Sequence, residues 1–110
     1  MINSFKEKLL YKFTKKYWKL INQKHGILNN FTVQKGLFKD LKLNKEQYWN
    51  SGDLGSKIYG FYEKDVQEII YKIVKKYKIK QFINIGSADG FFAIGFLRLK
   101  LFKNAICFEQ

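Results

Sequence analysis

Two small groups of residues carry the chemistry legible in this sequence. Gly86-Ser87-Ala88-Asp89-Gly90 follows the apolar run Gln81-Phe82-Ile83-Asn84-Ile85. Glu109 ends a second apolar run, Asn104-Ala105-Ile106-Cys107-Phe108, and stands about twenty residues after Gly90. Glycine has no Cβ, so the backbone at Gly86 and Gly90 can approach a ligand closely, and Ala88 between them is small for the same reason. A carboxylate at the end of the next strand lies beside such a loop and can accept hydrogen bonds from both hydroxyls of a ribose. A glycine turn combined with a ribose acid is a nucleoside-binding pattern. A dinucleotide site would read Gly-x-Gly-x-x-Gly, but Ala88 holds the second glycine position and Phe91 the third. That departure argues against NAD, and the chain has no phosphate-loop lysine that would point to another nucleotide-binding enzyme.

The elements that must position these residues can be read from periodicity. A strand over 81–85, a helix from Phe91 to about Phe102 and a strand over 104–109 make one βαβ unit, with parallel strands and a right-handed crossover. Ligands of open α/β sheets bind outside the carboxyl ends of the strands, where the helix also presents its first N–H groups. Continuous apolar strands predict burial on both faces, with Cys107 acting as a small buried hydrophobe. Upstream, residues 63–78 predict a helix with an apolar stripe through Val66, Ile69, Ile70, Ile73, Val74 and Tyr77. Acids in its first turns and lysines in its last match the helix dipole. Asn29-Asn30, Phe31-Thr32-Val33 and Lys35-Gly36 predict a small β-hairpin over 29–43. Residues 50–56, Asn-Ser-Gly-Asp-Leu-Gly-Ser, form a loop by composition and mark the best boundary. It separates a basic N-terminal extension, 1–60, from an α/β domain, 61–110. Residues 3–24 predict a basic amphipathic helix stopped by Gly26.

One family pattern resembles this arrangement. Ile83-Asn84-Ile85-Gly86-Ser87-Ala88-Asp89-Gly90-Phe91-Phe92-Ala93 is similar to motif I of the class I S-adenosylmethionine (SAM)-dependent methyltransferases. Upstream, Lys35-Gly36-Leu37-Phe38-Lys39 and Ile58-Tyr59-Gly60-Phe61-Tyr62-Glu63 resemble the lead-in of a bacterial branch that carries a Gly-x-Tyr-Glu element. The resemblance spans about residues 33–110. It implies a Rossmann-like fold, SAM as cofactor, and cofactor contacts from Asn84, Gly86, Ser87, Ala88, Gly90 and Glu109, with Tyr62 and Glu63 near the same site. A staple-and-cap role for Tyr62 and Glu63 at the start of the 63–78 helix is the competing reading. Asn84 replaces the motif's aspartate and keeps a hydrogen-bond acceptor without the charge. Ala88 replaces its middle glycine. The implied reaction is in-line transfer of a methyl group from a sulfonium to a nucleophile, which the protein promotes by positioning the reactants. The implied acceptor is a small molecule or a sugar. A complete sheet of this class has seven strands and this sequence supplies two, so a fragment that binds SAM weakly or not at all and turns nothing over is the expectation.

Composition limits the alternatives. The formal net charge is +12, and of the 21 Lys and Arg residues only Arg98 is an arginine. Proline is absent. This Lys-rich, Pro-free composition fits an AT-biased coding sequence, which raises the charge without a function behind it. Arginine is the residue preferred for bidentate base and phosphate contacts, so no specific nucleic-acid partner is expected. With one cysteine, no disulfide can form within the chain, and no metal-ligand spacing occurs. No apolar run is long enough to span a bilayer, and lysines interrupt the N-terminal apolar stretches that a signal peptide would need, so a cytoplasmic setting is expected. His25 reads as a helix-end residue and Asp89 as a loop residue or helix cap. The 3–24 helix is expected to pack on the domain, though its bulky aromatics beside lysines leave a weak membrane-surface contact open. The competing class is therefore a non-enzymatic basic module for a membrane surface or nucleic acid.

Overall fold

A computed structural model describes residues 3–45 and 52–110. The elements in chain order are α1 (Asn3–Leu28), α2 (Leu54–Ile58), α3 (Lys64–Tyr77), β1 (Gln81–Ile85), α4 (Phe91–Arg98) and β2 (Asn104–Phe108). The strands β1 and β2 pair in parallel, in register from Gln81 with Asn104 to Ile85 with Phe108. The chain is thus mixed helix and strand, built on a small two-stranded parallel sheet. Helix α4 makes the crossover, and it ends at Arg98, before the Phe102 expected from periodicity. Leu99, Lys100 and Leu101 bring the chain round to β2, and Phe102 turns inward as a core residue.

The core is aromatic. Phe38 packs edge-on against Phe91, Phe92 and Phe96, at centroid distances of 5.1, 6.2 and 4.9 Å. Phe82 of β1 meets Phe96 at 5.7 Å and stacks on Phe102 at 5.1 Å. Such pairs contribute about 0.5–1.5 kcal/mol each beyond the area they bury. Val33, Leu41 and Val74 complete this cluster, which joins residues on both sides of residue 60. Gly95 makes the packing possible, because a Cβ there would lie 2.6 Å from the ring of Phe38.

Several local expectations change. The 29–43 hairpin reduces to a single antiparallel bridge, Thr32 with Lys42. Gly36 and Asp40 adopt positive φ between the two arms, and Val33, Phe38 and Leu41 turn into the core rather than alternating along strands. Gly26 does not stop α1, which runs on to Leu28. The missing Cβ at Gly26 instead leaves room for the Phe31 ring, whose Cε1 would be 2.5 Å from it. Part of the 50–56 stretch is helical, because Leu54 and Ile58 lie one turn apart and both are fully buried. Gly52 and Asp53 remain a turn, and residues 50 and 51 lie outside the described residues.

A further change concerns burial. Helix α4 covers the sheet face that carries Phe82, while the other face leaves Ile83, Ile85, Ile106 and Phe108 exposed. The strands are therefore not buried on both faces, and Cys107 is exposed rather than buried. Helix α1 also departs from expectation. Residues 6–20 are exposed throughout, and only its last turns meet the domain, through Asn22 and His25 against α2. None of the described helices is long and apolar enough to cross a membrane.

Candidate functional site

The site grows from the turn after β1. Gly86 and Ser87 both donate their N–H groups to the carbonyl of Phe108, at 2.8 and 3.1 Å. The two strands are therefore tied at their carboxyl ends, and the chain turns sharply away. Gly86 stands at φ +70°, a conformation that favours glycine, and a Cβ built on it would meet nothing within 4 Å. The turn closes with Gly90 N–H on Ser87 O at 2.8 Å. Its middle residue, Ala88, is held at φ 46°, in the left-handed region where a glycine would sit without strain.

Glu109 reaches this turn from the end of β2. Its Oε2 accepts the backbone N–H of Ala88 at 2.5 Å. A carboxylate offers about four lone-pair positions, so one such bond leaves acceptor capacity for further donors. Beside it lies an open cavity of about 330 Å³, lined by Ile85, Gly86, Phe108, Glu109 and Gln110. That volume is at the lower end of the range of small-molecule sites. The structure therefore brings Gly86, Ser87, Ala88 and Glu109 together, with Gly90 closing the turn. Asn84 is half-buried on β1 opposite Cys107, two residues short of the turn.

The loop has a second support that the sequence reading missed. Asp89 Oδ2 pairs with Lys57 Nζ at 2.7 Å, and its Oδ1 accepts the N–H of Phe91 at 3.2 Å. Asp89 thus occupies the first helical amide of α4, which is satisfied within the chain instead of facing the crevice. The Lys57 side chain is only 8% exposed, against 25% for Asp89. The Lys57 ammonium also lies over the rings of Tyr62 and Phe91, 4.9 and 5.2 Å from their centroids. A buried cation is tolerated only with such partners. One signal could have revealed it: Leu54, Lys57 and Ile58 share the i, i+3, i+4 spacing of a helical face. Gly, Ser and Asp around them hid that face in an apparent loop.

Tyr62 and Glu63 separate. Tyr62 packs edge-on against Phe91 at 5.5 Å and so touches the site's supporting layer. Burial pushes its phenol above the ordinary value, and the carboxylates of Glu63, Asp53 and Asp89 add to the shift, so the hydroxyl stays neutral at physiological pH. Glu63 is exposed and heads α3 at φ 44° without a side-chain cap bond. His25 ends α1 as expected, and its Nδ1 hydrogen-bonds the Tyr59 hydroxyl at 2.8 Å. The lone arginine, Arg98, donates to the carbonyl of Lys39 at 3.2 Å. Among the described residues no cluster of His, Cys, Asp and Glu could hold a metal ion. A second cavity, of about 320 Å³, lies by the amino ends of the strands and includes Lys75, Lys78, Lys80, Lys100 and Lys103 in its lining.

Compared with protein-family models, curated proteins and solved structures, the chain matches none.

Proposed function

We propose that this chain carries the SAM-binding part of a class I-type methyltransferase, with the cofactor's nucleoside held between the Gly86–Gly90 turn and Glu109. One observation carries the reading: the Glu109 carboxylate is drawn against the Ala88 amide, beside an open cavity at the carboxyl ends of two parallel strands. The residues fit the group. Gly86 leaves free the space a Cβ would fill, and Glu109 has acceptor capacity for two ribose hydroxyls. When bound, SAM supplies an electrophilic methyl group on a sulfonium. The chain's own part is positioning: the paired strand ends fix Gly86, and the Lys57–Asp89 pair fixes the far side of the turn. The methyl acceptor is proposed, from the resemblance alone, to be a small molecule or a sugar.

The test is a titration of SAM and S-adenosylhomocysteine into the 110-residue chain, followed by calorimetry and by the amide resonances of Gly86, Ala88 and Gly90. The expected result, for a chain that supplies two of the strands, is weak but saturable binding that moves those three amides and is lost in Glu109→Ala. A chain that is folded by circular dichroism yet binds neither compound at millimolar concentration would remove the proposal.

A further inference from the structure

Helix α1 presents two unlike faces, and neither is covered from residue 6 to residue 20. At 100° per residue, Leu9, Leu10, Phe13, Tyr17 and Leu20 fall on one broad arc. Their exposures run from 47% to 66%, large for side chains of this kind. Lys8, Lys12, Lys15, Lys16 and Lys19 fall on an adjoining arc centred about 120° away, while Lys6 falls within the apolar one. Tyr11 and Trp18, 65% and 59% exposed, stand on the same side of the helix as Asn22, and Lys16 adjoins Leu9 where the two arcs meet. The orientation of the whole helix is set at its C-terminal end. Asn22 accepts the Gly55 N–H at 2.7 Å, which turns that side of the helix toward the domain. Leu20, Phe13 and Leu9 lie on the side turned away from it. The domain therefore holds out an apolar face instead of using it for its own core.

We infer that α1 is a docking helix for an anionic bilayer surface, lying in the plane of the interface with its apolar arc in the lipid. Charge and residue type favour that occupant. A second copy of α1 would bring two lysine-rich helices together, which like-charge repulsion opposes. Nucleic acid would meet the lysines but leave the Leu and Phe arc in water. A membrane of anionic lipids satisfies both arcs at once, with the lysines meeting headgroups beside the buried apolar arc. The helix is about 39 Å long at 1.5 Å per residue, so it lies along the surface as a rod. The inference is independent of the methyltransferase reading, since no α1 residue belongs to the Gly86–Glu109 site.

The experiment is co-sedimentation of the full chain with phosphatidylcholine vesicles, with and without phosphatidylserine, together with the fluorescence of a Leu9→Trp reporter in a Trp18→Phe, Trp49→Phe background. The expected result is binding at least about tenfold tighter to the anionic vesicles, with a blue shift of the Leu9→Trp reporter. Phe13→Gln with Leu20→Gln should abolish the shift and leave the circular dichroism of the domain unchanged, because both positions are exposed. Three results would each overturn the inference. Vesicle binding could persist in that double variant and disappear in Lys100→Glu with Lys103→Glu, which would place attraction in the lysine-lined cavity. Duplex DNA could bind as tightly as the anionic vesicles, indifferent to Phe13 and Leu20. The reporter's shift could appear without lipid and grow with protein concentration, which would make the occupant a second copy.

Discussion

At the scale of single residues, two positions near the turn govern its shape. Ala88 holds a left-handed conformation that costs an L-residue about 1–2 kcal/mol. Ala88→Gly should therefore raise stability by up to about 1 kcal/mol, the gain being offset by the greater freedom of glycine in the unfolded chain. A lowered melting temperature would show that the Ala88 methyl makes contacts that outweigh its strain. The Lys57–Asp89 pair makes an asymmetric prediction. Removing one partner of a buried pair is costly because the other charge stays buried, at about 3–5 kcal/mol in the extreme. Lys57 is the more deeply buried partner, so Asp89→Asn, which strands it, should destabilise more than Lys57→Met, which leaves the better-solvated carboxylate. Equal midpoints in urea unfolding would contradict that order. The Gly86, Gly90 and Glu109 constellation could be read in advance because its chemistry depends on residue type and spacing along one βαβ unit. Lys57 could not, because its importance comes from a contact with Asp89 far away in sequence.

At the scale of elements, α3, β1, α4 and β2 fall close to where hydrophobic periodicity puts them, since each carries a continuous local signal. The failures lie where tertiary packing overrides local rules. Gly26 reads as a stop, but Phe31 folds back onto it and the helix continues. Residues 29–43 contain strand-like pieces, but the core takes Val33, Phe38 and Leu41 together, and only one bridge forms. Helix α4 supplies the sharpest test of this packing. Alanine is the better helix former by about 1 kcal/mol, so an isolated helix would gain from Gly95→Ala. In this chain the added methyl would meet the Phe38 ring, and overpacking of this kind costs about 1–3 kcal/mol. The substitution should lower the unfolding midpoint, and pairing it with Phe38→Leu should recover part of the loss. A Gly95→Ala variant more stable than the parent would mean that the Phe38 ring moves aside freely.

At the scale of the whole molecule, the chain extends 56 Å along its longest axis and only 23 Å along its shortest. Its stability should be correspondingly uneven. The amides of α4 and β1 sit over the aromatic core and should exchange with solvent only through global unfolding. Those of residues 6–20 have no tertiary cover and should exchange through local opening, which hydrogen exchange read by mass spectrometry would separate into two classes. Uniform protection along the chain would show that α1 is held by contacts beyond Asn22 and His25. The apolar sheet face of Ile83, Ile85, Ile106 and Phe108 was not legible in advance, because continuous apolar strands signal burial without saying what covers them. The same strand holds the chain's one thiol, Cys107, exposed and two residues before Glu109. A maleimide dye or nitroxide would therefore attach at a single point beside the candidate cofactor site. The protein already contains the anchor for a reporter of what binds there, with no residue to be added or removed.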